Sequence, residues 1–527
     1  MRPSLAEIAK QKFDVVVIGG GINGSGVARE AALHGYRTLL AERDDFGAGT
    51  TSRATRLIHG GLRYLEHGEF GLVYESLVER ETLLREVPHL VRALRMLLPV
   101  YRGDERPGWR IRIGLILYDL LSFRKSLPRH RAMPPRALAA YEPGLNRDDL
   151  TAAYTMYDAQ VEFPERVVAE SVRDFDDAGG IALNHVAAEK LISPGGVLRG
   201  VVLRDACSDE TAEVEATVVV NAAGPWVDQV LAGSDGERHE PLIGGTKGSH
   251  LVVEWPGGPQ HAVFASARED GRPFFILPWY GHTLVGTTDL RWDGDPSRAR
   301  CTPDELRYLL DEATRLFPAT PLRREHVLYT YCGVRPLPWM PPGTDESKIP
   351  RSHYIIDHAK RGGPSGLLSL VGGKLTTYRA LARLAIPAIK KHAAPRASEA
   401  GSGKREAGTA HAATAGDPLA LYGARTDEVR ALITADSSLG QRICEHNPQM
   451  LAQVAYAVEH EHAMTLADVL LRRLPVGWST CHALDGAART AAVMAPRLAW
   501  DEARSAREVA AYERELRETL VPMDDIG

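Results

Sequence analysis

The chain has 527 residues, enough for two or three domains with a sizeable core. Its 44% hydrophobic and 25% charged residues match a soluble globular protein, and a net charge of −5 gives no global pull toward nucleic acid. Five scattered cysteines are odd in number and lack metal-ligand spacing, which excludes a disulfide framework and suits a reducing cytoplasm.

Residues 1–13 hold Glu7, Lys10 and Lys12 and no apolar stretch, so no signal peptide is expected. Residues 14–26 then read DVVVIGGGINGSG. Val15 to Ile18 form the β-branched run of a buried parallel strand. Gly19, Gly21 and Gly24 complete G-x-G-x-x-G, with Gly20, Ile22 and Asn23 between them. Ala28, Ala31, Ala32 and Leu33 follow at helical spacing. Strand, glycine turn and helix make a dinucleotide cradle, in which free N–H groups at the helix start face a pyrophosphate. A second strand, Arg37 to Ala41, ends in Glu42, placed to meet a ribose hydroxyl. The motif alone does not separate NAD from FAD.

Residues 102–131 place Arg106, Arg110, Arg112, Arg124, Lys125, Arg129 and Arg131 around an apolar centre with Trp109, Ile113, Leu117 and Phe123. That pattern suits either a helix on anionic lipid or an ordinary core helix with a solvated face. Further strand-like runs at VVVNAAGPW (218–226) and GLLSLVGG (366–373) can close the nucleotide sheet from far along the chain. Segments at 248–253, 274–277 and 283–286 suggest a mostly antiparallel sheet. Residues 393–416 are Ala/Gly/Ser-rich and read as a linker, and 417–527 as a helical domain. No apolar run is long enough to span a bilayer.

The expected fold class is therefore α/β plus α, with a discontinuous nucleotide-binding domain at 1–85, 155–240 and 355–392. An inserted domain takes 86–154 and 241–354. Together VVVIGGGINGSGVARE (15–30), TTSRATRLIHGGLRYLE (50–66), NAAGPW (221–226), KGSHLVV (247–253), LVGTTD (284–289), GVRPL (333–337), GGKLTTYR (372–379) and TLADVLLRR (465–473) resemble the FAD-dependent, aerobic respiratory glycerol-3-phosphate dehydrogenases. The resemblance covers essentially the whole chain. It implies a D-amino-acid-oxidase-like fold: a Rossmann-like FAD domain, an inserted substrate sheet and a C-terminal helical domain.

The resemblance also implies oxidation of sn-glycerol 3-phosphate to dihydroxyacetone phosphate, with FAD taking the hydride from C2. It nominates Arg63, Tyr64, His250, Thr287 and Arg351 for the phosphate, and Arg335 and Lys374 near the C2 oxygen. A cation there stabilises a developing alkoxide. The hydroxyl proton has three candidate acceptors: His250, His59 and Lys374. FAD contacts are expected from Gly19 to Gly24, Glu42, Arg43, Thr51, Ser52, His59, Gly60, Gly61, Ala223, Gly224, Trp226, Gly373, Lys374, Leu375 and Thr376. Thr376 and Thr377 are alternatively helix caps. No metal is expected. Electrons would pass to a membrane quinone, from a homodimer lying peripherally on the cytoplasmic face of the membrane and touching anionic lipid. Rival readings are a glycerol-3-phosphate oxidase using oxygen, another D-amino-acid-oxidase-like oxidase, and a flavin-binding partner without turnover.

Overall fold

The computed structural model describes residues 2–123, 125–233, 240–341, 343–344, 349–396 and 417–521. Arg124 and most of the expected linker at 393–416 lie outside them. The chain divides into two compact units, each discontinuous in sequence. The first comprises 1–52, 163–245 and 335–515, and the second 53–162, 246–334 and 516–527.

The first unit is organised on an eight-stranded sheet. Lys12–Ile18 lies at its centre because Val15, Val16 and Val17 are apolar on both faces and fully buried. Parallel to it run Thr38–Ala41 on one side and Thr211–Asn221 on the other, with Val16 opposite both Leu39 and Val219. Leu367–Val371 then adds in parallel to Thr211–Asn221. The nucleotide sheet is thus closed by segments about 200 and 350 residues downstream of its first strand, as the glycine-ended apolar runs suggest. The helix Ile22–Leu33 is lined with glycine and alanine for close packing. A Cβ on Gly26 would lie 3.0 Å from the Tyr378 ring of helix Tyr378–Ile389.

The helices of the C-terminal region pack within this same unit through a buried ionic cluster. Asp45, just past the second strand, receives Arg472 Nε at 2.8 Å and Arg473 Nη1 at 2.7 Å. Asp468 meets His185 Nε2 at 2.9 Å and Arg472 Nη2 at 2.9 Å. The TLADVLLRR motif is therefore a docking element, and its charges are buried because each has a partner.

The second unit holds a ten-stranded sheet, mostly antiparallel, in which eight strands run in the order Leu290–Arg291, Thr246–Val253, His282–Gly286, Pro273–Trp279, Ala262–Ser266, Val91–Tyr101, Leu150–Val161 and Leu57–Ile58, while Val327–Arg335 pairs with Thr246–Val253 and Arg131–Ala132 with Leu150–Val161. Residues 53–85 and 155–162 belong here rather than with the nucleotide sheet, because Leu57 and Ile58 pair with Gln160 and Ala159. Conversely, 335–354 groups with the first unit.

Candidate active site

In the first unit the glycine turn is sterically obligatory. A Cβ on Gly24 would sit 1.8 Å from the Gly19 carbonyl oxygen, and one on Gly19, at φ 103°, would sit 2.7 Å from that of Ala222. A Cβ on Gly21 meets nothing closer than Thr51 Oγ1 at 3.5 Å, which leaves room for a ligand at this point. Gly21 is the N-cap of the following helix, and no side chain caps it. An anion on those N–H groups completes this helix start. Thr51 Oγ1 accepts from the Ile22 N–H at 3.1 Å. Glu42 Oε2 accepts from the Gly20 N–H at 2.5 Å, and Oε1 from Asp44 N–H at 2.9 Å. Burial, helped by the neighbouring Asp44 charge, pushes the Glu42 carboxyl up to about 7.

Around this cradle, the Arg43 guanidinium lies 4.4 Å over the Trp226 ring, and Gly49 faces the same indole. Gly224 has φ 58° beside Ala223. Ser52 serves the turn itself, its hydroxyl donating to the Gly47 carbonyl at 2.8 Å. Gly373, at φ 98°, abuts Asn23, whose Nδ2 donates to the Gly372 carbonyl at 3.3 Å. Leu375 and Thr376 continue from that turn. Thr377 is the N-cap of the next helix but forms no side-chain cap.

The same turn gathers the cationic candidates of this unit. Gly372 N–H donates to the Pro336 carbonyl at 2.9 Å, next to Arg335, and the Ser352 carbonyl, next to Arg351, faces Gly372. Burial and the Lys374 ammonium both push His353 below its ordinary range. Lys374 therefore has an imidazole nearby that the sequence motifs do not reveal. Its only signal is a histidine two residues after Arg351.

In the second unit His250 is almost fully buried, with Nε2 hydrogen-bonded to Thr55 Oγ1 at 2.9 Å. Its ring stacks on Tyr331, with centroids 4.7 Å apart and planes 16° from parallel. His250 pairs across strands with Gly286, where a Cβ would come 2.4 Å from His250 Cδ2. Thr287 follows directly. Beneath them Glu305 receives Lys247 Nζ at 2.7 Å, Ser249 Oγ at 3.0 Å and Thr288 Oγ1 at 2.7 Å. The lysine and serine of KGSH are thus scaffolding for the histidine. Hydrogen bonds outweigh burial and hold the Glu305 carboxyl below its usual value.

His59, Gly60 and Gly61 precede a short helical turn, Leu62–His67, that carries Arg63 and Tyr64. His59 meets Phe275 edge to face. Tyr118 Oη accepts from the Gly60 N–H at 2.8 Å and donates to Asp158, which also pairs with the buried Arg80. The helix Gly108–Leu121 therefore positions the glycine loop, a role invisible in its charge pattern. Arg63 lines a cavity of about 290 Å³ with mainly apolar walls, among them Leu98, Ile113, Leu117 and Phe264. Arg63, Tyr64, Thr287, Arg335, Arg351 and Lys374 are all half-buried, neither solvated nor sealed in a core. Groups that meet a small ligand sit at such depths.

Residues 14–379 match the family model described as FAD dependent oxidoreductase, and 368–505 match the C-terminal domain of alpha-glycerophosphate oxidase. A glycerol-3-phosphate dehydrogenase of Synechocystis sp. is 40% identical over 549 aligned positions, covering 98% of each chain. D-erythritol 1-phosphate dehydrogenase of Brucella abortus is 36% identical, covering 87% of this chain and 93% of its own. Among solved structures, the glycerol-3-phosphate dehydrogenase of Bacillus halodurans in complex with FAD superposes with a TM-score of 0.75 at 26% identity. That match covers 99% of this chain and 97% of the other. The glycine cradle and uncapped helix start fit the FAD that this family binds.

Proposed function

Because the chain belongs to the FAD-dependent oxidoreductase family that includes the glycerol-3-phosphate dehydrogenases, we propose that it oxidises sn-glycerol 3-phosphate to dihydroxyacetone phosphate and delivers the electrons to a membrane quinone. The observation that carries this reading is end-to-end similarity to the Synechocystis enzyme, at 40% identity over 98% of both chains. FAD, when bound, accepts the hydride; the protein binds, orients and stabilises.

On this reading Arg63, Tyr64, His250, Thr287 and Arg351 hold the phosphate, for which guanidinium forks and hydroxyl or imidazole donors are suited. Arg335 and Lys374 stabilise the negative charge developing on the C2 oxygen. His250 is the favoured acceptor of the hydroxyl proton, since Thr55 and Tyr331 fix its ring. Arg63→Ala and Arg335→Ala are each expected to lower kcat/KM at least about tenfold, the value of one charge-assisted contact. Wild-type kinetics in an FAD-loaded variant would remove that residue from the site.

The D-erythritol 1-phosphate enzyme supplies a second reading, a longer polyol phosphate as substrate. Anaerobic bleaching of the flavin by each phosphate decides between them, and reoxidation by a quinone analogue or by oxygen decides between dehydrogenase and oxidase.

Membrane contact is supported by an apolar surface. Trp109 (67% exposed), Ile113, Ile116, Leu120 and Phe123 project from helix Gly108–Leu121 and the residues after it. Phe70, Tyr74 and Val78 do so from helix Phe70–Glu86. Exposed Arg110, Arg112, Arg129 and Arg131 accompany them. Lys125, expected among the lipid-facing cations, is instead only 6% exposed and paired with Asp119. Among the described residues no helix is long and apolar enough to cross a membrane.

A further inference from the structure

Folding brings together two cysteines whose spacing in the chain carries no metal signature. Cys444 and Cys481, 37 residues apart, place their sulfurs 4.0 Å from each other in the C-terminal helical region. An Asp485 carboxylate oxygen joins them, all three donor atoms lying within 4.8 Å of one another. Asp485 Oδ2 is in turn 3.6 Å from His446 Nδ1. We propose that Cys444, Cys481, Asp485 and His446 form a binding site for a thiophilic divalent cation, with zinc the best fit.

The distances match the chemistry. Tetrahedral zinc, with Zn–S near 2.3 Å, separates two thiolate sulfurs by about 3.8 Å, and its nitrogen and oxygen ligands by about 3.3 Å. Cys444, Cys481 and Asp485 already meet these spacings approximately, whereas the exposed imidazole of His446, beside Asp485, has to swing toward the sulfurs to complete the set. Polar side chains surround the sulfurs. Asn447 Nδ2 lies 3.1 Å from Cys444 Sγ and 3.4 Å from Cys481 Sγ, and Ser479 Oγ lies 3.3 Å from Cys481 Sγ. The Asn447 amide thus donates toward both sulfurs, while the Ser479 hydroxyl donates to the Val476 carbonyl at 2.6 Å and faces Cys481 as an acceptor; such neighbours orient the sulfurs, as supporting residues do around metal ligands. His482 and Ala483, with φ of 49° and 52°, turn the chain so that Asp485 returns toward Cys481.

A disulfide is the competing use of two neighbouring thiols. It requires sulfurs about 2.05 Å apart and has no need of the carboxylate and imidazole beside them. Metal binding releases the two thiol protons and leaves both sulfurs as ligands. Four protein donors leave no open position, so the ion would clamp the segment around 441–449 to the turn at 479–486 without entering the redox chemistry.

The test begins with the full-length holoenzyme, purified without chelators or metal-affinity steps. Elemental analysis is expected to find one zinc per chain. Cobalt added after zinc removal is expected to give a thiolate-to-cobalt charge-transfer band. Cys444→Ser with Cys481→Ser should abolish both while FAD content and dye-coupled turnover stay unchanged, and the melting temperature should fall. If the double variant does not fold, Asn447→Ala gives the reading instead, through zinc affinity about 10–100-fold weaker. Absence of zinc together with no cobalt band would overturn the site. So would a mass two hydrogens lighter that reductant restores, which would establish a disulfide.

Discussion

The hydrogen bonds that shape the nucleotide cradle, Glu42 to Gly20 and Thr51 to Ile22, span 22 and 29 residues, whereas the bond that fixes His250 spans 195. The cradle is mainly a backbone device. Its glycines are dictated by turn geometry and close packing, and these constraints leave a readable local pattern. The His250 environment is a side-chain device, assembled from Thr55, Gly286 and Tyr331 on three separate segments. Nothing in the neighbourhood of His250 announces these partners. The two regions should therefore fail differently when disturbed.

The largest effect is expected in the cradle. Gly24→Val places its Cβ against the Gly19 backbone, where no side chain can yield. The protein should purify without flavin, and its visible spectrum should show no FAD absorbance even after reconstitution. A yellow, fully loaded Gly24→Val variant would break the view that backbone sterics govern this region.

The ionic cluster joining the C-terminal helices to the nucleotide sheet is a side-chain device of even longer reach, 283 residues from His185 to Asp468. Burial alone would lower the pKa of His185, but the Asp468 carboxylate outweighs it and raises the pKa to about 9. A histidine raised in the folded state stabilises fully below its unfolded value near 6.5, and that contribution fades as pH climbs through 9. The expected loss is on the order of 3 kcal/mol, read as a melting temperature that declines between pH 7 and 10. His185→Gln should lower stability at pH 6 and flatten that decline. An unchanged slope would assign the pH response elsewhere.

Smaller again is Gly286→Ala. Its Cβ would meet the imidazole of His250 rather than backbone, so the strain falls on the placement of that ring and not on the fold. FAD content should remain normal while kcat/KM for glycerol 3-phosphate falls about tenfold, close to 1.4 kcal/mol. Wild-type kinetics here would show that the placement of His250 does not matter to turnover.

Legibility followed the same division. The strand, glycine turn, helix and Glu42 were readable because each imposes a residue type on a short window. The downstream strands at 211–221 and 367–371 were readable for their glycine-ended apolar runs. The boundary near 52 was not, because the two-residue strand Leu57–Ile58 has too little pattern to reveal its partner at 159–160. Tyr118, Glu305 and His353 were missed for a related reason: their partners are backbone groups or charges on distant segments. Arginines in one motif also proved unlike one another. Arg56 is fully buried against Trp279 and the Glu162 carbonyl, while Arg63 lines a cavity.

The basic segment offers the subtlest test, since charge composition alone does not separate lipid-facing from structural cations. Arg112, on helix Gly108–Leu121, and Arg129, eight residues after it, are exposed, whereas Lys125 is held by Asp119. Neutralising Arg112 or Arg129 should weaken binding to anionic vesicles by about 1 kcal/mol each, roughly fivefold, with the difference shrinking as salt is raised. Lys125→Gln should leave vesicle binding unchanged and instead lower thermal stability, because Asp119 loses one of its partners in a poorly solvated position. Dye-coupled turnover should be unaffected in the two arginine variants. Sedimentation with vesicles of mixed anionic and zwitterionic lipid measures the difference. Equal losses for Lys125 and the arginines would mean that burial does not sort these cations. A wild-type protein that ignores anionic vesicles would remove membrane contact from the proposed function.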